Sequence, residues 1–300
     1  PNNKKEKRMV GRASLLFLTL LQALVVQAGE QANADISKLI NTGETKLYIE
    51  CYGEGSPAII VNAGFGVKVS DGGWEKVIKS VSGKNQICFY DRANIGQSEK
   101  HSGNYDIDTI VEQQNTLLQK VGIKAPYIMV GHSYGSYPIK LFNHRYPKKV
   151  LGILLVDPSL YGQFRSHINK WDPDKDTYDE ETTKWMEREL EPWHGTPNNV
   201  ESINMRTSST YIEQSEDFGD KPFVLLWRKN AIWTPPENKP DIWHPAVWER
   251  IKKSYKVDLS TMQNLSTNMK TTFANTNEHF IHKHEPDIVI EEINYLIEVI

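Results

Sequence analysis

The feature that most constrains the chain is a set of short, unbroken apolar runs separated by stretches with helical spacing. The runs are AIIVN (58–62), YIMVG (127–131), LGILLVD (151–157) and PFVLLW (222–227). A strand with one face in water alternates apolar and polar side chains, so continuous apolar runs mark strands covered on both faces. The full set of predicted strands is Lys46–Tyr52, Ala58–Asn62, Gln86–Tyr90, Tyr127–Val130, Leu151–Val156, Phe223–Trp227 and Met269–Ala274. Between them, Asp106–Val121 places Ile107, Ile110, Val111, Leu117, Leu118 and Val121 mostly on one stripe, with Asp106 or Asp108 as the cap. Tyr134–Tyr146, Pro245–Tyr255 and Pro286–Ile300 also read as helices. Strand–helix alternation of this kind predicts an α/β fold with a mainly parallel, doubly wound sheet. One span breaks the rhythm: residues 158–221 are rich in Trp, Tyr, Glu and Asp, with helical patches such as Thr182–Leu190 and no buried-strand run. We read it as a helical lid inserted into a core made of residues 35–157 and 222–300.

Composition narrows the function classes. The 300 residues are 39% hydrophobic, enough for a sizeable core, and 35 Lys+Arg against 38 Asp+Glu leave a formal charge of -3. That balance gives no basic footprint, which argues against nucleic acid as a partner. Residues 1–34 stand apart. Lys4, Lys5, Lys7, Arg8 and Arg12 precede the apolar run 13–26 (ASLLFLTLLQALVV), and Ala32-Asn33-Ala34 follows. A basic flank, a short apolar segment and small residues at a cleavage site are the layout of a secretory signal peptide. The run is shorter than the ~20 residues of a bilayer-spanning helix, yet left uncleaved it would tether the protein to a membrane. The expected product is secreted or extracytoplasmic. In such a compartment disulfides persist, so Cys51 and Cys88, both in strand-like runs, are either bridged or two buried thiols.

Three short motifs carry chemistry. Gly131-His132-Ser133-Tyr134-Gly135 lies between a strand and a helix, the context in which G-x-S-x-G forms a sharp elbow that lifts a serine hydroxyl above the sheet. Asn62-Ala63-Gly64-Phe65-Gly66 follows the strand AIIV, where a glycine-containing loop can turn backbone N–H groups toward a developing oxyanion. Phe65 and Tyr134 are the expected donors, each through its main-chain N–H. Glu278-His279-Phe280-Ile281-His282 follows the last strand, and an imidazole is needed to take the serine proton and pass it to the leaving group. His279 is favoured because it comes first after the strand; His282 and His284 are expected in the turn or at the helix start, solvated or capping. No metal-ligand spacing and no G-x-G-x-x-G fingerprint occurs, so no cofactor and no metal is implied.

Together, GHSYG, the segment Asp91–Ser98 (DRANIGQS) and EHFIHKHEP resemble the α/β-hydrolase fold superfamily, from about Thr45 to the C-terminus with the lid unmatched. Asn94 stands where the family's YDRxGxGxS pattern has glycine, and Asn tolerates the left-handed backbone. Asn62 stands where many members have His, a change expected to alter how the oxyanion loop is held. The resemblance implies a Ser–Asp–His triad. Many members carry the acid after the strand equivalent to Phe223–Trp227, but Arg228-Lys229-Asn230 occupies that turn here. Some carry it one strand earlier, which selects Asp157, with Asp241 and Glu237 in a Pro-rich loop behind it.

Serine at position 133 argues against the epoxide hydrolases and haloalkane dehalogenases of this superfamily, which use Asp at the elbow. The implied reaction is acyl transfer to water with a small-molecule acyl substrate: a carboxylic ester or thioester, less often an amide. From Ser159 to Lys221 there are 14 acidic residues against seven basic. Aminopeptidases of the superfamily bind a substrate ammonium with lid carboxylates, which keeps a proline iminopeptidase-like enzyme as the alternative; a charge run is more often a solvated face. A non-catalytic hydrolase-fold binding protein is the third reading.

Overall fold

In the computed structural model, described over residues 33–161, 180, 183–184, 199–230 and 245–300, the apolar runs are neighbours in one eight-stranded sheet. The strands are β1 (Ile36–Asn41), β2 (Lys46–Tyr52), β3 (Ala58–Asn62), β4 (Ile87–Tyr90), β5 (Tyr127–His132), β6 (Val150–Val156), β7 (Phe223–Trp227) and β8 (Met269–Phe273). Their spatial order is β1-β2-β4-β3-β5-β6-β7-β8. The pairs β1–β2 and β2–β4 are antiparallel, and the five pairs from β4 to β8 are parallel. The helices among the described residues are α1 (Glu75–Val81), α2 (Ile107–Val121), α3 (Ser136–Arg145), α4 (Met205–Gln214), α5 (Pro245–Gln263), α6 (Ile281–His284) and α7 (Pro286–Val299).

Successive side chains of a strand point to opposite faces, and this period sorts the apolar residues into two cores. Ile60, Met129, Leu155 and Leu225 pack on one face with Ile110 and Leu117 of α2, Phe142 of α3 and Ile212 of α4. Val61, Val130, Leu154 and Leu226 pack on the other with Val77 and Val81 of α1 and Val289, Ile293 and Leu296 of α7. Burial on both faces is why these strands read as unbroken apolar runs. Asp106 caps α2, its carboxylate accepting the N–H groups of Asp108 and Thr109 at 3.1 Å each, and Gly122 ends the helix at φ 87°.

The sequence reading missed β1 and α1. ISKLIN lies at the sheet edge with most of its side chains exposed, so it carries no buried-strand signature. EKVIKSV has only seven residues, too few to display a helical period. Near the ends of the span read as a lid, Tyr161, Ile203, Met205, Ile212 and Phe218 are buried in the first core. Among the described residues no helix is long and apolar enough to cross a membrane; the apolar run 13–26 and the patch Thr182–Leu190, apart from residues 183–184, lie outside them.

Cys51 and Cys88 sit directly opposite each other in the β2–β4 register and are bonded. Both are buried, so of the two readings left open the bridge is the one observed. Closing a loop with a separation of 37 residues stabilises the fold by roughly 4 kcal/mol in the chain-entropy model. For the site the important property of the fold is the strand order. β3 lies between β4 and β5, so the direction of strand addition reverses there, and the carboxyl ends of β3 and β5 are where a sheet of this kind places its site.

Candidate active site

The elbow motif lies at those strand ends. β5 ends at His132, Ser133–Gly135 form a 3-10 turn, and α3 begins at Ser136. Ser133 has φ 51°, a left-handed backbone that costs a non-glycine residue free energy and persists only where surrounding structure enforces it. The enforcement is visible. A Cβ on Gly135 would fall 2.0 Å from the carbonyl oxygen of Asn62, so only glycine lets the turn close against the end of β3. The chain leaving β6 is stitched to the same turn: the Ser159 N–H donates to the Ser133 carbonyl at 3.1 Å, and the Tyr161 hydroxyl donates to the Ser136 carbonyl at 3.0 Å.

Asp157 follows β6 directly, with φ 41°, and is buried. One carboxylate oxygen accepts from His279 Nδ1 at 2.5 Å, although the two residues are 122 apart in sequence. Arg228, in the turn after β7, flanks the same carboxylate. Its guanidinium lies 3.3 Å from one oxygen, and its backbone N–H donates to the other at 3.5 Å. The turn after β7 thus supplies a cation that grips the acid at the end of the preceding strand. Glu237 and Asp241 lie outside the described residues.

His132, next to Ser133 in sequence, is buried with its ring centroid 4.6 Å from that of His279. Its Nε2–H donates to the His279 carbonyl at 3.0 Å, so the end of β5 holds the backbone of the histidine loop. His282 departs from expectation. It is neither solvated nor capping but buried, stacked on Trp74 of the second core with ring centroids 4.1 Å apart and planes at 9°; His284 is exposed. Burial first, and then the neighbouring His279, hold the His132 pKa down at about 4; burial, then His132, holds that of His282 at about 2. Both rings are therefore neutral in the folded protein at neutral pH.

A stability prediction follows from that neutrality. The unfolded chain binds protons on these rings near pH 6.5 and the folded chain does not, so acidification favours unfolding. Stability should begin to fall as the pH drops through 6.5 and keep falling to about 4 for His132 and about 2 for His282. Each ring contributes at most ~1.4 kcal/mol per pH unit. Urea midpoints between pH 7.5 and 4.5 read this out, and the slope should weaken in His282→Asn; an unchanged slope in that variant would show that His282 is not the titrating group.

The loop Asn62–Gly66 closes the third side. A Cβ on Gly64 would lie 3.4 Å from the Ser133 Cβ, which puts the loop against the serine, and the Phe65 and Tyr134 rings meet edge to face at 5.7 Å. Arg92 holds this loop from behind, donating to the carbonyls of Ala63 at 2.8 Å and Gly64 at 2.6 Å. Its partner Glu201 accepts from Arg92 Nε at 2.7 Å and Nη2 at 2.6 Å, and also from the Gly66 N–H at 2.6 Å. Both side chains are almost completely buried. Burial alone would lower the Arg92 pKa, but the facing carboxylate outweighs it and raises it further.

The Asp91–Ser98 segment builds the scaffold under this pair. Asp91 accepts the N–H groups of Val69 at 2.7 Å and Gln97 at 2.8 Å. Asn94 takes the left-handed backbone anticipated for it, φ 74°, and donates to the Glu201 carbonyl at 2.6 Å. Asn62 accepts the Tyr90 hydroxyl at 2.9 Å. The structure thus brings His279 to Asp157 and the Phe65 loop to Ser133 and Tyr134. Sequence reasoning missed Glu201, Arg228 and His132 as members of the site. Arg92 lies in the Asp91–Ser98 segment, but Glu201 is one of 14 acidic residues in its span and nothing local sets it apart from a solvated charge.

Comparison with known proteins gives the family and the fold. The model of the family described as alpha/beta hydrolase fold matches residues 57–238, more than half of the chain. YbdG of Bacillus subtilis, an uncharacterized protein, is 29% identical over 126 residues, which are 42% of this chain and 39% of that protein. The matched stretch therefore spans about two fifths of that relative's length. Among solved structures, an epoxide hydrolase mutant from Vigna radiata superposes with a TM-score of 0.60 at 12% identity, over 88% of this chain and 99% of that one. Alpha/beta hydrolase domain-containing protein 10 from mouse gives 0.59 at 17% identity, over 88% and 98%.

Proposed function

The chain belongs to the α/β-hydrolase fold family, and on that footing we propose that it is an exported serine hydrolase cleaving a carboxylic ester or thioester of a small molecule through an acyl-enzyme. The observation that carries the reading is the convergence of three loops on one end of the sheet: Ser133 on an elbow at φ 51°, His279 bonded to buried Asp157 at 2.5 Å, and the Phe65 loop against the serine.

Each group has a role set by its chemistry. His279 Nε2 takes the proton of Ser133 Oγ as that oxygen bonds to the carbonyl carbon. Asp157 holds Nδ1–H and stabilises the imidazolium that results. The oxyanion receives the Phe65 and Tyr134 N–H groups. The tetrahedral intermediate collapses by breaking the carbonyl carbon–leaving group bond, and the imidazolium protonates the departing oxygen or sulfur. Water, deprotonated by His279, then attacks the acyl-serine, releasing the carboxylic acid and restoring the serine.

An ester is favoured over an N-terminal amine substrate by the fate of one lid-span carboxylate. Glu201, at the oxyanion loop, is neutralised by Arg92 and so offers nothing to an ammonium group. Export is supported by the basic and apolar pattern of residues 1–34 and by the Cys51–Cys88 bridge, which suits an oxidising compartment. The test is a panel of p-nitrophenyl acyl esters and acyl thioesters against prolyl arylamides, with fluorophosphonate labelling. Ester or thioester turnover with label on Ser133 is expected. Faster arylamide cleavage would select the aminopeptidase reading, and folded protein without label or turnover would select a binding protein.

A further inference from the structure

Arg92 and Glu201 do more than satisfy each other. A trans peptide is planar, with its C=O and N–H pointing in opposite directions. The Gly64 carbonyl that Arg92 grips belongs to the same peptide unit as the Phe65 N–H, so fixing the oxygen fixes the direction of that N–H. Arg92 fixes the preceding unit through the Ala63 carbonyl, and Glu201 fixes the following one through the Gly66 N–H. Three consecutive peptide planes are therefore pinned by one buried ion pair, at the loop whose Gly64 faces the Ser133 Cβ. The fork of a guanidinium is suited to the task, because it reaches two carbonyls and a carboxylate at once, which a lysine ammonium on a single flexible stem does not.

The geometry points to Arg92 and Glu201 as the positioning residues of the oxyanion loop: their ion pair orients the Phe65 N–H toward the charge that develops on the substrate oxygen. The inference rests on the reading of Ser133 as nucleophile. It also ties the loop to the segment entering α4, since Asn94 and Gly66 both bond Glu201 while Asn204 N–H donates to the Tyr105 carbonyl at 2.6 Å.

The experiment compares wild type, Glu201→Gln and Arg92→Lys on the best ester of the panel. Misaiming one oxyanion donor costs about 100-fold in kcat, with KM within about threefold, because the interaction is made mainly in the transition state. Affinity for an alkyl boronic acid, which forms a tetrahedral anionic adduct on the serine, should fall by a similar factor in both variants. Glu292→Gln is the control for loss of a buried carboxylate elsewhere. Glu292 on α7 is buried and bonded to Lys270 and Thr272 of β8, so that variant should lose stability and keep kcat. In the wild-type protein, the Gly66 amide should be protected from hydrogen exchange. Glu201→Gln and Arg92→Lys with wild-type kcat and boronate affinity, or a Gly66 amide exchanging at the solvent rate, would overturn the inference. Wild-type protein without esterase activity or label on Ser133 would instead overturn the functional reading beneath it.

Discussion

Ser133→Ala is expected to lower kcat for ester hydrolysis by about 10,000-fold or more, since removing the nucleophile disables the whole hydroxyl–imidazole–carboxylate unit. The loss should fall on kcat, because the hydroxyl's decisive interaction is the bond it forms during reaction. Fluorophosphonate should label wild type and leave the variant unlabelled. Folding should survive the change: alanine is smaller than serine, and the left-handed backbone at φ 51° is imposed by the Gly135–Asn62 approach and the Ser159–Ser133 hydrogen bond rather than by the hydroxyl. Matching thermal melts alongside lost turnover would assign the role to the hydroxyl. A variant that still turns over ester at the wild-type rate would remove Ser133 from the chemistry and with it the acyl-enzyme.

That serine was legible because its signal is local. An elbow needs a strand, a tight turn and a helix in succession, and YIMVGHSYG followed by a helical stretch carries all of them within a few residues. The central strands were legible for the same reason, since double-sided burial writes itself into each run. What the sequence concealed are pairings between distant segments. The contact of His279 with Asp157 spans 122 residues, and that of Arg92 with Glu201 spans 109. Asp157 could be chosen only because Arg228 occupies the other turn, whereas Glu201 had no such exclusion to single it out. The burial of His282 is hidden in the sequence for a related reason. A histidine near a helix start reads as a cap, and nothing local announces that Trp74, more than two hundred positions earlier in the chain, will stack on it. Local chemistry is read from spacing, while burial of a lone charged or polar side chain depends on which elements the sheet order brings together.

The choice of Asp157 yields the second large expected effect. Asp157→Asn should lower kcat by about 10,000-fold at neutral pH, with the serine and imidazole still in place. The carboxamide has nearly the shape of the carboxylate but presents either an oxygen or an NH2 group to His279 Nδ1. With the NH2 group facing it, Nδ1 becomes the acceptor, the ring proton moves to Nε2, and the base can no longer receive the serine proton. Arg228 sets two preferences against each other. Its backbone N–H, which donates to the other carboxylate oxygen at 3.5 Å, favours the amide oxygen there and so turns the NH2 group toward His279, whereas its guanidinium, 3.3 Å from the oxygen that meets His279, favours the amide oxygen at that position. The two preferences compete, so measured kcat separates them: an amide oxygen held toward both His279 and Arg228 would limit the loss to the missing charge, on the order of a hundredfold as for other single electrostatic contributions. Asp241→Asn should leave kcat near wild type. The reverse pattern, with Asp157→Asn active and Asp241→Asn inactive, would move the acid role to Asp241 and recast the 2.5 Å contact at Asp157 as structural.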